Sequence, residues 1–263
     1  MGNKPAKKNQ KKWLKIAVEV ILISAWTFAS VVASQFVIGY IMLWTVGADT
    51  FSKPLPLAIY YVLANALAIS LVVFVPAALL VKRKAKKPRR ITEVVSRTEL
   101  GLKGWPTWTD IGLSPVGCIV SLMLAAGLVA LFSQFSWFDP EQAQETGFSL
   151  YASGFDRVIS FIALVVVAPI AEEIIFRGWM YGKLREKLSG NLPEWGGIVL
   201  STLIVSVIFG LAHFQWNVGL NVFCLSIVLC GLREITGTIY AGILTHMLRN
   251  GLALCLMYFM GVH

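Results

Sequence analysis

Charge is scarce in this chain: Asp, Glu, Lys and Arg together make up 14% of its 263 residues, where soluble domains run near a quarter. Hydrophobic residues reach 57%, with a mean hydropathy of +0.71, which excludes an ordinary water-soluble domain. Histidine is rarer still, with three residues in all. No HExxH stretch occurs, so the commonest helical zinc-protease motif is absent. The four cysteines, Cys118, Cys224, Cys230 and Cys255, show no CxxC spacing and lie in apolar segments, where they read as small packing residues rather than disulfide partners or ligands. No linker, internal repeat or low-complexity tract interrupts the sequence beyond its basic stretches.

Long apolar runs fill the space that charge leaves. A bilayer core needs about 20 apolar residues per helix. Seven candidate spans follow: Trp13–Gly47, Leu55–Val81, Leu113–Phe135, Val158–Met180, Gly196–His213, the short Val218–Leu232, and Thr238–Met260. The expected fold is all-α, a polytopic transmembrane helix bundle of about seven spans, within a range of six to eight. The basic start followed by an apolar run resembles a signal peptide, but that run far exceeds a 7–15-residue h-region. It reads as a first membrane helix.

A net charge of +9 raises the question of nucleic acid, and its placement answers it. Most Lys and Arg residues fall in two blocks, Lys4 to Lys15 and Lys82 to Arg90 with Arg97 and Lys103. Both blocks flank spans, as the positive-inside rule requires. The expectation is therefore a lipid-bilayer partner and no nucleic acid, with attraction to anionic headgroups as a by-product. By the same rule the N-terminus is cytoplasmic. The loop Ala48–Pro54 is outside, Lys82–Asp110 inside, Ser136–Asp156 with its four acids outside, and Arg177–Glu194 inside.

Against this apolar background a few polar residues stand out. Glu172 and Glu173 end the run Val158–Ala171. One ionised carboxylate at such a place costs about 2.5–3.5 kcal/mol, so two require partners. Arg177 lies four residues beyond Glu173, on the same helical face, and can neutralise it. Glu172, about 100° away around the helix, is left for acid–base work. Phe209 and His213 are likewise four apart, with Gly210 between them allowing close helix approach. His246 and Asn250 repeat the spacing on the last span. The separations from the breaks near Gly190-Asn191 and Glu234–Thr236 permit the three groups to meet at one depth.

Three motifs thus stand in order: Glu172-Glu173-Ile-Ile-Phe-Arg177 (EExxxR), Phe209-Gly-Leu-Ala-His213 (FxxxH) and His246-Met-Leu-Arg-Asn250 (HxxxN). In them the chain resembles the CPBP family of intramembrane proteases, which includes type II CAAX prenyl endopeptidases and bacteriocin-processing and immunity proteins. The resemblance covers roughly Phe155–Gly251. It divides the sequence into N-terminal membrane helices with a basic cytoplasmic loop, 1–154, and a CPBP-like catalytic membrane domain, 155–263. It implies an integral membrane protein of a prokaryotic plasma membrane. It further implies hydrolysis of a peptide bond in a membrane peptide or protein substrate, whether prenylated and CAAX-type or leader-bearing. By that analogy Glu172 and His213 orient and deprotonate a water, His246 and Asn250 bind the oxyanion, and Arg177 secures Glu173.

Whether a metal takes part stays open at this point. Glu172, His213 and His246 also form a credible Zn²⁺ set, and names in the family often say metalloprotease. The absence of HExxH and the Asn beside the second histidine favour a glutamate mechanism without a cofactor. Two rival functions remain. One is a non-catalytic immunity or scaffold protein of the same fold, against which the intact motif residues argue. The other is a transporter or proton relay, which inverted repeats would favour; none is found.

Overall fold

The computed structural model describes residues 4–83, 95–139, 147–148 and 153–260. Among the described residues there are helices and no strands. The elements are α1 (Lys4–Val46), the short α2 (Ala48–Phe51), α3 (Pro54–Ile69), α4 (Val75–Arg83), α5 (Trp108–Phe132), α6 (Gly154–Phe161), α7 (Ala168–Glu172), α8 (Gly182–Ser189), α9 (Glu194–Leu211), α10 (Trp216–Thr236) and α11 (Tyr240–Cys255). π-helical segments join α3 to α4 (Ser70–Phe74), α6 to α7 (Ile162–Val167) and α7 to α8 (Glu173–Tyr181), so that α3–α4 and α6–α8 are each one continuous rod.

Among the described residues six helices are long and apolar enough to cross a membrane: Asn9–Val46, Pro54–Leu79, Trp108–Phe132, Gly154–Ser189, Glu194–Leu211 and Trp216–Thr236. The number lies at the lower end of the expected range. The last helix is not among them, because His246, Arg249 and Asn250 dilute its apolar character. The bundle faces outward with large apolar side chains, Phe36, Leu22 and Met123 among them. In water a coat of this size would be a liability; in lipid it is the required surface. Exposed Trp105, Trp108 and Trp195 lie at one end of the bundle, and Trp44, Trp137 and Trp216 at the other, as aromatic belts do at the two interfaces.

Several boundaries differ from the sequence expectation, each for a local reason. α5 begins at Trp108, not Leu113, because Thr107 and Asp110 form a capping box. Asp110 therefore belongs to the helix rather than to the loop before it. Ser153 and Asp156 do the same for α6, which moves Asp156 out of its expected loop. The span expected to be short, Val218–Leu232, is the 21-residue α10, extended to Thr236 and closed by Gly237 at φ 71°. The α6–α8 rod runs 36 residues, about 54 Å at 1.5 Å per residue. It overshoots a 30 Å hydrocarbon core, and its last turns carry the charged Lys183, Arg185, Glu186 and Lys187. The basic block around Lys82–Arg90, the acids Glu141 and Glu145, and His263 lie largely or wholly outside the described residues.

α1 packs on α3, α9 on α10, and α5 on both α10 and α11. The α9–α10 crossing is set by two glycines. A Cβ on Gly210 would lie 2.8 Å from the Gly219 carbonyl oxygen, and one on Gly219 would lie 3.0 Å from that of Gly210. Only glycine permits this approach. At the opposite end, the segment before α5 clasps the α10–α11 turn: Ile239 N–H donates to the Gly101 carbonyl at 3.0 Å, Arg233 Nη2 to Glu99 O at 3.1 Å, and Tyr240 Oη to Gly104 O at 2.8 Å.

Candidate active site

Glu173 and Arg177 are both fully buried, at 0% exposure, with Arg177 Nη1 2.9 Å from Glu173 Oε1. The π-helical turn still brings residues four apart together. The same carboxylate oxygen accepts from His246 Nδ1 at 3.1 Å. Glu173 Oε2 faces Gly242, where a Cβ would come within 3.0 Å, so the carboxylate is packed in by glycine on its far side. Arg177 lays its guanidinium over the Phe209 ring, 4.4 Å from the centroid, a cation–π contact that partly offsets the N–H groups it leaves without a bond.

Glu172 is placed differently. Its side chain is 26% exposed and lines a cavity of about 190 Å³ together with His213, Phe176 and Phe209. His246 Nε2 lies 3.7 Å from Glu172 Oε2, so this one imidazole touches both glutamates. His213 sits just past the end of α9, with Nδ1 2.8 Å from the Phe209 carbonyl. A carbonyl only accepts, so Nδ1 carries hydrogen, and Nε2 of the neutral ring is an acceptor. Phe209 holds the set together through T-shaped contacts with Phe176, His213 and His246 at 4.9, 5.0 and 5.9 Å.

Asn250 donates from Nδ2 to the Leu164 carbonyl at 3.0 Å. The reason lies in the neighbouring rod. In π-helical pairing the carbonyl of Leu164 would bond the amide five residues on, and that residue is Pro169, which has none. Asn250 supplies the missing donor and ties α11 to the helix that carries Glu172. The link was legible in Pro169, whose missing N–H must leave one carbonyl unpaired.

Five of the six residues singled out in the sequence gather in two tiers: Glu172 and His213 border the cavity, and Glu173, Arg177 and His246 pack behind it. Asn250 lies one turn further along α11, bound to the Leu164 carbonyl. Among the described residues no group of three His, Cys, Asp or Glu side chains is placed to hold a metal ion. The cation that meets Glu173 is Arg177, and no step of the mechanism is routed through a metal.

The sequence reading missed the opposite wall. Gln35 of α1 and Tyr60, Tyr61 and Asn65 of α3 line the same cavity. The signal was there: Gln35 and Asn65 are isolated amides within otherwise apolar spans.

Residues 154–252 match the family model described as type II CAAX prenyl endopeptidase Rce1-like. No curated protein matches the chain. No solved structure matches it. The matched segment starts and ends within one residue of the stretch bounded by the three motifs' resemblance, Phe155–Gly251, and contains the cavity's Glu172 and His213. Six membrane-length helices among the described residues mark an integral membrane protein, and its residues 154–252 are similar to the type II CAAX prenyl endopeptidase Rce1-like family.

Proposed function

We propose that the chain is a CAAX-type endopeptidase that hydrolyses a peptide bond of a membrane-associated substrate with a water activated by Glu172 and His213. The observation that carries this reading is the division of the paired glutamates. Glu173 is sealed by Arg177 and His246, whereas Glu172 opens onto the cavity shared with His213. That cavity, of about 190 Å³, has room for a water and a peptide carbonyl, since a water occupies about 30 Å³.

Two acceptors, a Glu172 carboxylate oxygen and His213 Nε2, bind the two hydrogens of one water and turn its lone pair toward the substrate. The water oxygen adds to the scissile carbonyl carbon as Glu172 takes a proton. Negative charge then develops on the carbonyl oxygen; from the α11 side His246 stabilises it through a hydrogen on Nε2, which the ring carries only as an imidazolium because Nδ1 already donates to Glu173, and Asn250 through its second amide hydrogen. Each such donor contributes roughly 3–4 kcal/mol in a dry site. The C–N bond breaks as the proton held by Glu172 passes to the leaving amine, and Glu172 returns to its carboxylate.

The test is cleavage of a prenylated CAAX peptide by the purified protein in liposomes, with Glu172→Ala beside it. Product with wild type and none with Glu172→Ala is the expected result. Equal cleavage by both would remove the proposed base. Comparing membrane peptides from cells carrying either form then identifies native substrates without assuming a prenyl group.

A further inference from the structure

Two amide side chains face Glu172 and His213 across the cavity and have little to do in the fold. Gln35 comes from α1 and Asn65 from α3. Gln35 precedes Val46 by eleven residues, and Asn65 follows Pro54 by eleven. Both therefore lie about 16 Å from the same end of the bundle, near the middle of a 30 Å core. Polar groups at that depth must be satisfied inside the protein. The hydroxyls of Thr27, Ser34 and Ser70 comply by returning to the carbonyl four residues earlier. Gln35 makes no hydrogen bond among the described residues. Asn65 donates from Nδ2 to the Tyr61 carbonyl at 2.8 Å, and its Oδ1 has no partner among them.

What such groups fit is another amide. A peptide brought into this cavity has lost the water that satisfied its backbone, and each residue arrives with one donor and one acceptor. A side-chain amide offers the same pair. We propose that Gln35 and Asn65 bind the substrate main chain, with Asn65 Oδ1 accepting a backbone N–H and the Gln35 amide pairing with a backbone C=O or N–H beside the scissile bond. The assignment rests on the peptidase reading above and adds a substrate-binding wall supplied from outside residues 154–252. The N-terminal helices then set how the peptide lies against Glu172 and His213.

The experiment uses the full chain in liposomes with a prenylated CAAX peptide, and with two versions N-methylated at the amide on either side of the scissile bond. Gln35→Leu and Asn65→Leu are each expected to raise KM about tenfold, the scale of one lost hydrogen bond, with a smaller change in kcat. N-methylation should weaken cleavage by wild type and cost much less in the variant whose partner it removes, a non-additive pair. Penalties that simply multiply, or a loss confined to kcat, would overturn the assignment. A second readout needs no substrate. Because the Gln35 amide holds nothing in the fold, Gln35→Leu should leave Tm unchanged or raised, and a fall beyond about 5 °C would show a structural amide and overturn the proposal. Should wild type itself not cleave the probe, the peptidase reading fails for that peptide, and the Tm comparison still decides whether Gln35 serves the fold.

Discussion

Phe209 touches Phe176, His213 and His246 with its ring and carries the Arg177 guanidinium on its face. Around it, single residues divide into those that meet the cavity and those that hold it. Glu172→Ala and His213→Ala should each abolish turnover while leaving the protein folded, and the double variant should be little worse than either, because both act on one water. Turnover rates of the three purified variants check this; independent, multiplying losses would separate the two residues. Arg177→Ala belongs to the other class. It leaves Glu173 buried without its cation, at a cost of about 3–5 kcal/mol, so folded protein recovered from membranes should drop along with rate. Much of this was legible in the sequence. An i, i+4 carboxylate–arginine pair can be read from spacing alone, and spacing also left Glu172 over. The bridging contacts of His246 to both glutamates could not be read, because they depend on how α11 is rotated against α7.

At the scale of elements, small residues and missing amides decide geometry. Gly210 lies between Phe209 and His213 at the point where α9 meets α10. Gly210→Ala would press a methyl onto the Gly219 carbonyl at 2.8 Å, and backbone does not yield as a flexible side chain does. A loss of about 1–3 kcal/mol is expected, with displacement of His213 and reduced turnover. Gly127→Ala is the control: nothing lies within 4 Å of a Cβ there, and the helix gains up to about 1 kcal/mol. Thermal melting of both variants in detergent makes the comparison, and equal Tm values would show that the crossing tolerates a methyl. The existence and order of the helices were plain from hydropathy. Their starts were not, since the Thr107–Asp110 and Ser153–Asp156 capping boxes are short polar signals at the edges of long apolar ones. The π-helical turns escaped altogether, because a 3.6-residue pattern has no mark for the extra residue.

For the molecule as a whole, two expectations can be measured directly. With Glu172 and His213 activating water, the purified protein should carry no stoichiometric Zn²⁺, and a strong chelator should leave its rate unchanged. One zinc per chain, lost with activity on chelation and restored with it, would show the glutamate mechanism to be wrong. The positive-inside pattern predicts that a single cysteine at Lys103 is labelled from the cytoplasm and one at Ser136 from outside; labelling from the same side would break the topology. The clasp of Gly101 and Gly104 on the α10–α11 turn, together with the bed that α5 gives α11, has a consequence for biogenesis. α5 leaves the ribosome more than a hundred residues before His246, so the helix that completes the proposed site inserts against a partner already in place. Until then Glu172 and Glu173 enter the bilayer without their imidazole, and the proposed hydrolytic site is incomplete. Nascent chains stalled after α10 should therefore be inert toward neighbouring membrane proteins, and activity should appear only with the insertion of α11.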